Sequence, residues 1–424
     1  MTKFHIITAG CSHNFADSEQ MAGLLREAKF ELVETIEEAD ILIFNTCTVK
    51  GPSETAFFKR LEEIKKEHPY KIIVIAGCIP QSDPEKLKEY PLVGTKQIHK
   101  IVDVVEEALN DNVVKLLETE EMPPLNLPSI RKNPIIEIIP ISRGCLGACS
   151  FCKTKSARGN LKSYSVEEIV SRARKAVAQG VKEVWLTSQD TGCYGFDINM
   201  DLPILLNKLV KIDGMFKIRV GMMNPDHLSK IQDKLIEAYQ NEKIFKFLHL
   251  PVQSGNNEIL TRMVRKYTVE EFKNQIKAFR KAIPNINIMT DIIVGFPGET
   301  EEQYWDTLNL VREIMPDSVN ISKFWARPKT PAAKMKPLPG EVIKHRSKVL
   351  SEIFNNISIL QNERWKNWEG PVLIDEKNKF KDQWVGKNKY YKQVVVEGEF
   401  KLGDVVMVQI FKTGVFDLQG KIRS

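Results

Sequence analysis

Short apolar runs recur along this chain, and between them apolar residues return every three or four positions. In the first part the runs are Phe4-His-Ile-Ile-Thr-Ala9, Ala39-Asp-Ile-Leu-Ile-Phe44 and Lys71-Ile-Ile-Val-Ile-Ala76. Their continuity predicts buried parallel strands, not half-exposed ones. Asp17 is placed to cap a helix running to Ala28, and Ser53 one running to Lys66. Strand and helix in alternation predict a small doubly wound α/β domain over residues 1–115.

Residues 116–134 are Pro-rich and aperiodic, which predicts a linker. The pattern resumes at Ile135. Strands are expected at Ile136–Ile141, Val184–Thr187, Phe216–Gly221, Phe245–Leu250, Asn287–Val294 and Ser318–Phe324. Three intervening helices open with a capping box: Ser165/Glu168, Thr268/Glu271 and Thr300/Gln303. Strand–helix units of this number predict an incomplete (β/α)6 barrel over 135–365, with its chemistry at the carboxyl ends of the strands. A barrel so short leaves a lateral gap, suited to a large substrate. A helix from Glu341 to Trp365 leads into residues 366–424, where the period changes to that of strands. Pro371–Asp375, Trp384–Gly386, Gln393–Gly398, Asp404–Ile410 and Val415–Lys421 predict a small β-barrel of the kind that binds oligonucleotides.

Composition adds constraints. Of 424 residues, 42% are hydrophobic and 27% charged, the balance of a globular protein. No apolar stretch approaches the ~20 residues that span a bilayer. The first residues run straight into a strand and do not read as an export leader, so the expectation is a cytoplasmic chain with no membrane partner. A net charge of +6 permits an RNA partner without requiring one.

Seven cysteines in such a chain point to metal or catalysis and away from disulfides. Six of them form two sets. Cys145, Cys149 and Cys152 form a CxxxCxxC loop after a predicted strand. Cys11, Cys47 and Cys78 each follow one of the first three apolar runs, and βα geometry can gather them at one sheet edge. Three thiolates can hold a cubane iron–sulfur cluster and leave one iron open. The alternative for the compact loop is a zinc site, which needs a fourth ligand that no nearby Cys or His supplies.

The CxxxCxxC loop resembles the signature of the radical S-adenosylmethionine enzymes. The two cysteine sets followed by a small β-barrel resemble the three-part layout of the methylthiotransferases within that superfamily. Three further stretches carry the resemblance: His249-Leu-Pro-Val-Gln253 continuing through Arg262-Met-Val-Arg-Lys-Tyr267, Asp291 through Glu299, and Arg327-Pro-Lys-Thr-Pro-Ala332. Lys153 through Asn160 and Thr187 through Gly192 are most similar to the archaeal and eukaryotic branch, which acts on N6-threonylcarbamoyladenosine at position 37 of tRNA. The branches acting on isopentenyladenosine or on a ribosomal protein, and an RNA-binding iron–sulfur redox sensor without turnover, are the rival readings.

The resemblance implies two 4Fe-4S clusters, an auxiliary one on Cys11, Cys47 and Cys78 and a radical-generating one on Cys145, Cys149 and Cys152. It also implies S-adenosylmethionine as cofactor, used once to methylate a sulfur and once to make the radical that activates the strong C2–H bond of adenine. The implied partners are tRNA, a one-electron donor protein and a sulfur source. Candidate cofactor contacts are Gln189, Asp190, His249, Gln253, Gly295, Glu299 and Arg327. The plain alternatives stand beside them: Asp190 and Gln189 as helix caps, His249 and Gln253 as satisfied core residues, Gly295 as a turn glycine and Arg327 as a surface residue. Arg158, with Lys155 second and Lys153 beside them, is the expected cation for the threonyl carboxylate. Lysines 377, 379, 381, 387, 389 and 392, interleaved with Phe380, Trp384, Tyr390 and Tyr391, are either an RNA-binding surface or a solvated face over a packed barrel. Cys193 reads as a spare thiol.

Overall fold

The computed structural model describes residues 1–48, 51–117, 121–378 and 382–423. The amino-terminal part comprises β1 (Lys3–Thr8), α1 (Ser12–Glu27), β2 (Glu31–Leu32), β3 (Ile41–Thr46), α2 (Gly51–Glu67), β4 (Ile72–Gly77), α3 (Cys78–Ser82), β5 (Leu92–Gly94), α4 (Ile101–Leu109) and β6 (Lys115–Leu116). All six strands are parallel, in the order β2-β1-β3-β4-β5-β6. The continuous apolar runs are explained by burial on both faces. Ile41 and Ile43 pack under α1 and α4 with Leu25 and Val104. Leu42 and Phe44, on the opposite face, meet Phe57 and Leu61 of α2. The order in which successive strands are added reverses between β1 and β3, which makes their carboxyl ends the switch point where such sheets bind ligands.

β5 and β6 are too short to announce themselves in the sequence. β6 draws the start of the expected linker into the sheet, and residues 121–134 form a strap across the neighbouring helices. Gln20 Nε2 and Arg172 Nη1 both donate to Leu125 O, at 3.0 and 2.5 Å. Glu19 accepts from Ile130 and Lys132 through its backbone and side chain. A Pro-rich segment has few backbone donors of its own, so neighbouring side chains fix it.

The central part comprises β7 (Ile136–Pro140), β8 (Ser142–Arg143), α5 (Thr154–Arg158), β9 (Lys162–Ser163), α6 (Val166–Ala178), β10 (Glu183–Thr187), α7 (Leu202–Leu209), β11 (Lys217–Val220), α8 (Pro225–Leu228), α9 (Gln232–Ala238), β12 (Phe247–His249), α10 (Asn257–Arg262), α11 (Val269–Ala282), β13 (Asn287–Val294), α12 (Glu301–Ile314) and β14 (Ser318–Lys323). The parallel sheets β11-β10-β7 and β12-β13-β14 meet at the bridge Ile218↔Ile244, giving the open half-barrel that the pattern predicts. All three capping boxes form, each with reciprocal side-chain and backbone bonds. Each is worth about 1 kcal/mol to its helix.

α13 (Gly340–Glu363) leads to β15 (Glu369–Lys377), β16 (Trp384–Lys387), β17 (Gln393–Val396), β18 (Val405–Thr413) and β19 (Leu418–Ile422), which close as a barrel in the order β15-β16-β17-β19-β18. This barrel plugs the amino ends of the half-barrel strands. Tyr391 is partly buried, with its ring 4.9 Å from that of Phe245 and 5.0 Å from that of Phe247, under the Arg219 guanidinium. Lys392 Nζ reaches Asp317 at 2.9 Å and Asn362 at 3.0 Å. Lys387 faces Asp375, and Tyr390 packs on Trp365. The stretch 387–392, expected as an RNA surface, is therefore largely a packing element: Lys387 and Lys392 answer acids of the barrel and of the half-barrel, while Lys389 lies over the Tyr390 ring. Lys379, Phe380 and Lys381 lie outside the described residues.

Candidate active site at two facing thiol triads

Cys47 and Cys78 follow β3 and β4 directly and Cys11 follows β1 after two residues, so the switch point of the sheet carries three thiols. Gly10 makes this crowding possible. A Cβ there would lie 2.7 Å from Cys47 Cβ, and its φ of +125° is closed to side chains of L residues. Asn14, one turn into α1, organises the group. Its amide nitrogen donates to Ala9 O at 3.0 Å and Thr46 O at 2.8 Å, tying the ends of β1 and β3 together. Those two bonds fix which way the amide points. Its oxygen then faces Cys11 Sγ at 3.7 Å, Cys78 Sγ at 4.0 Å and Arg158 Nη2 at 2.8 Å.

The second triad lies across the domain boundary, in the loop after β8. Hydrogen-bond donors converge on its sulfurs: Gly147 N on Cys145 at 3.2 Å, Thr154 N on Cys152 at 3.4 Å and Arg265 Nη1 on Cys149 at 3.3 Å. Such donors favour thiolates. Burial acts against them, pushing Cys145 up to about 12 and raising Cys78 and Cys152. Ligation by metal resolves the conflict, because a coordinated thiol loses its proton.

Spacing tests what these thiols can hold. A tetrahedral zinc ion with ~2.3 Å bonds brings its sulfurs to about 3.8 Å from one another. Among the described residues, one group of His, Cys and carboxylate side chains has all its ligand atoms within 4.8 Å, and it is Asp190, Cys193 and His227. Both triads are wider than that, as suits a cluster that spreads its ligands over several irons.

The triads are joined by polar contacts across the boundary. Arg143 and Arg158, on either side of the CxxxCxxC loop, grip opposite oxygens of Asp17 at 2.7 and 2.8 Å. Gln189 accepts from Gly144 N at 2.8 Å and contacts His13 Nδ1 at 3.1 Å through its amide nitrogen. His13 is held neutral, since burial, Arg158 and Arg143 all lower its pKa.

Several expected site residues have other duties. Asp17 sits mid-helix and not at a cap. Arg158 is buried and committed to Asp17 and Asn14, so it is not a free cation for a substrate carboxylate. Lys153 is likewise buried against Asp83. Lys155, whose neighbours are more open, carries no ion pair among the described residues. Arg327 is neither a surface residue nor a free charge: it is buried and bound to Thr48 and Glu54, clamping the half-barrel to the amino-terminal domain. Glu299 is buried, accepting from Gly295 N at 3.0 Å and Arg346 Nη1 at 2.8 Å. That bond and the packing of Ile343 against Gly295 fit a turn, the plainer reading of this glycine. Asp190 caps the turn Thr191–Cys193 and also receives Asn224 N and His227 Nδ1. His249 Nε2 lies 3.1 Å from Asp291 Oδ2, with Asp291 Oδ1 buried and unpartnered. Gln253, at φ +72°, donates its backbone N–H to Asp291 O. Cys193 is buried, its thiol on Asp190 O at 3.3 Å.

The sequence reading missed His13, Asn14, Arg143 and Arg265. The signal for the last two was adjacency, Arg143 to the CxxxCxxC loop and Arg265 within a stretch already singled out.

The radical SAM superfamily profile matches residues 139–311, the Uncharacterized protein family UPF0004 residues 3–95 and the TRAM domain residues 369–422. Among solved structures, a radical S-adenosylmethionine methyltransferase, TsrM, from Kitasatospora setae superposes with a TM-score of 0.57 at 15% identity, covering 78% of this chain and 75% of that one. That likeness concerns the fold. In sequence, the probable threonylcarbamoyladenosine tRNA methylthiotransferase of Pyrococcus abyssi is 44% identical over 96% of this chain and 97% of its own length. The threonylcarbamoyladenosine tRNA methylthiotransferase of Homo sapiens is 40% identical over 99% of this chain and 74% of its own. With identity of this extent across all three parts, the chain belongs to the threonylcarbamoyladenosine tRNA methylthiotransferase family.

Proposed function

We propose that this protein adds a methylthio group to C2 of N6-threonylcarbamoyladenosine at position 37 of tRNA. In this reading Cys145, Cys149 and Cys152 hold a 4Fe-4S cluster that takes S-adenosylmethionine, and Cys11, Cys47 and Cys78 hold an auxiliary one. Held by Cys145, Cys149 and Cys152, such a cluster with S-adenosylmethionine would supply the radical chemistry that an unactivated aryl C–H bond requires. The supporting observation is the grip of Arg143 and Arg158 on Asp17, which sets the two triads at facing strand edges.

The chain's own residues position the reactants. Gly147, Thr154 and Arg265 donate to the compact triad's sulfurs. Gln189 links the loop to His13, beside the other triad. With Arg158, Lys153 and Arg327 engaged elsewhere, Lys155 is the cation this segment offers to a substrate carboxylate. A pocket for an isopentenyl arm would exclude such a charge, since burying it unpaired is costly.

The tRNA body is assigned to the outer face of β18 and β19. Phe411 is 50% exposed on β18, and Phe416, in the loop between the two strands, is 77% exposed. Lys412, Lys421 and Arg423 lie on the same two strands and their ends. Aromatics for stacking interleaved with cations for phosphate are what single-stranded RNA recognition uses. A one-electron donor protein and a sulfur source complete the reaction.

The test is mass spectrometry of nucleosides from tRNA incubated with reduced enzyme and S-adenosylmethionine. Threonylcarbamoylated tRNA should gain the mass of a methylthio group in place of hydrogen. Equal modification of isopentenylated or unmodified adenosine at position 37 would refute the substrate assignment.

A further inference from the structure

The buried charges between the two triads do not balance. Asp17 brings one negative charge, Arg143 and Arg158 one positive charge each, and all three side chains are at most 2% exposed. A surplus positive charge this deep in a protein is costly unless something answers it. Besides Asp17, the ionisable groups around Arg158 belong to the dispersed triad. Its Nη2 shares the Asn14 oxygen with Cys11 Sγ and Cys78 Sγ.

Resting on the cluster assignment above, we infer that Arg158 is the internal counter-cation of the auxiliary cluster. The arithmetic closes: three thiolates on a cluster core of formal charge about +2 leave about −1. With two arginines and one aspartate beside it, the group is neutral. Arg158 is thus a residue of the radical domain that sets the electrostatics of a cluster held by another domain. Asn14 positions it, through an amide whose orientation the ends of β1 and β3 fix. A positive charge at this distance favours the more negative, reduced form of the cluster, and it favours an anionic sulfur at the open iron. Arg143 plays a different part: its Nη1 goes to Thr95 O and its Nε to Tyr164 OH, and it reaches the triad only through Asp17.

The test uses the full chain carrying Cys149→Ala, which retains only the auxiliary cluster, with the midpoint potential followed by electron paramagnetic resonance. Adding Arg158→Gln removes a positive charge and should shift the potential negative. Adding Asp17→Asn removes a negative charge and should shift it positive. Opposite shifts support the inference. Shifts of one sign, or none while iron is retained, overturn it, because a residue that merely packs has no reason to obey the sign of its charge. If Arg158→Gln holds no iron, Arg158→Lys decides: a cluster at the parent's potential supports the charge role, and loss of iron in a chain that melts like the parent overturns it. A Cys149→Ala parent without any cluster would refute the assignment of the dispersed triad itself.

Discussion

At the scale of single residues, the site works by giving each sulfur a defined neighbour. Arg265 is the clearest case, since its guanidinium spans Cys149 Sγ, Pro251 O and the Tyr267 hydroxyl. Arg265→Met should slow reductive cleavage of S-adenosylmethionine at least tenfold while leaving the auxiliary cluster's iron in place. Iron analysis with 5′-deoxyadenosine quantification checks both halves. Gln189 makes a similar link between domains. Gln189→Leu should leave each triad its iron but uncouple them, so that 5′-deoxyadenosine forms with little methylthiolated product. The six cysteines were legible because a fixed spacing and a position after predicted strands are local signals. Arg158 was legible as a cation beside the loop, but not as the partner of Asp17. The two stand 141 positions apart in different domains, and no local pattern records such a contact.

Elements were read best where one periodicity ran unbroken. The long buried strands and the three capping boxes are as predicted, whereas β2, β5 and β6 are too short to establish a period. Tail residues 387–392 show the limit of composition: lysines interleaved with aromatics look the same whether they meet RNA or plug a half-barrel. Their burial makes a stability prediction. Lys392→Met removes the more buried of the two cations on Asp317, leaving Arg364 at 3.3 Å, and should cost less than the ~3–5 kcal/mol of a buried charge left with no partner. Accelerated proteolysis between α13 and β15 would report the loosened barrel. The same junction predicts a pH effect. Burial first, then Asp375, raises Glu183 from its ordinary 4.5 to about 7. Between those values the folded chain binds more protons than the unfolded one, so stability falls as pH rises through the window. Glu183→Gln should therefore raise the melting temperature at pH 8, by a free energy on the order of 2–3 kcal/mol, and have little effect near pH 4.5.

At the scale of the whole molecule, three parts share two junctions. The strap and Arg327 fix the amino-terminal domain on the half-barrel, and Tyr391 and Lys392 fix the closing barrel beneath it. The outer face of β18 and β19, proposed above for tRNA, takes part in neither junction. Replacing Lys412 and Lys421 by Gln should weaken tRNA binding and reduce the salt slope by about 2. Phe411→Ala with Phe416→Ala should weaken it by ~1–3 kcal/mol per stacked base without changing the slope. Filter binding across a salt series separates the two.

The central claim is that two triads hold two clusters with divided labour. The most direct measurement compares iron content, 5′-deoxyadenosine and methylthiolated nucleoside in the parent and Cys47→Ala. The variant should lose about half its iron, keep reductive cleavage of S-adenosylmethionine, and make no methylthio product. Full iron content in Cys47→Ala, or methylthiolation undiminished by the substitution, would contradict the account.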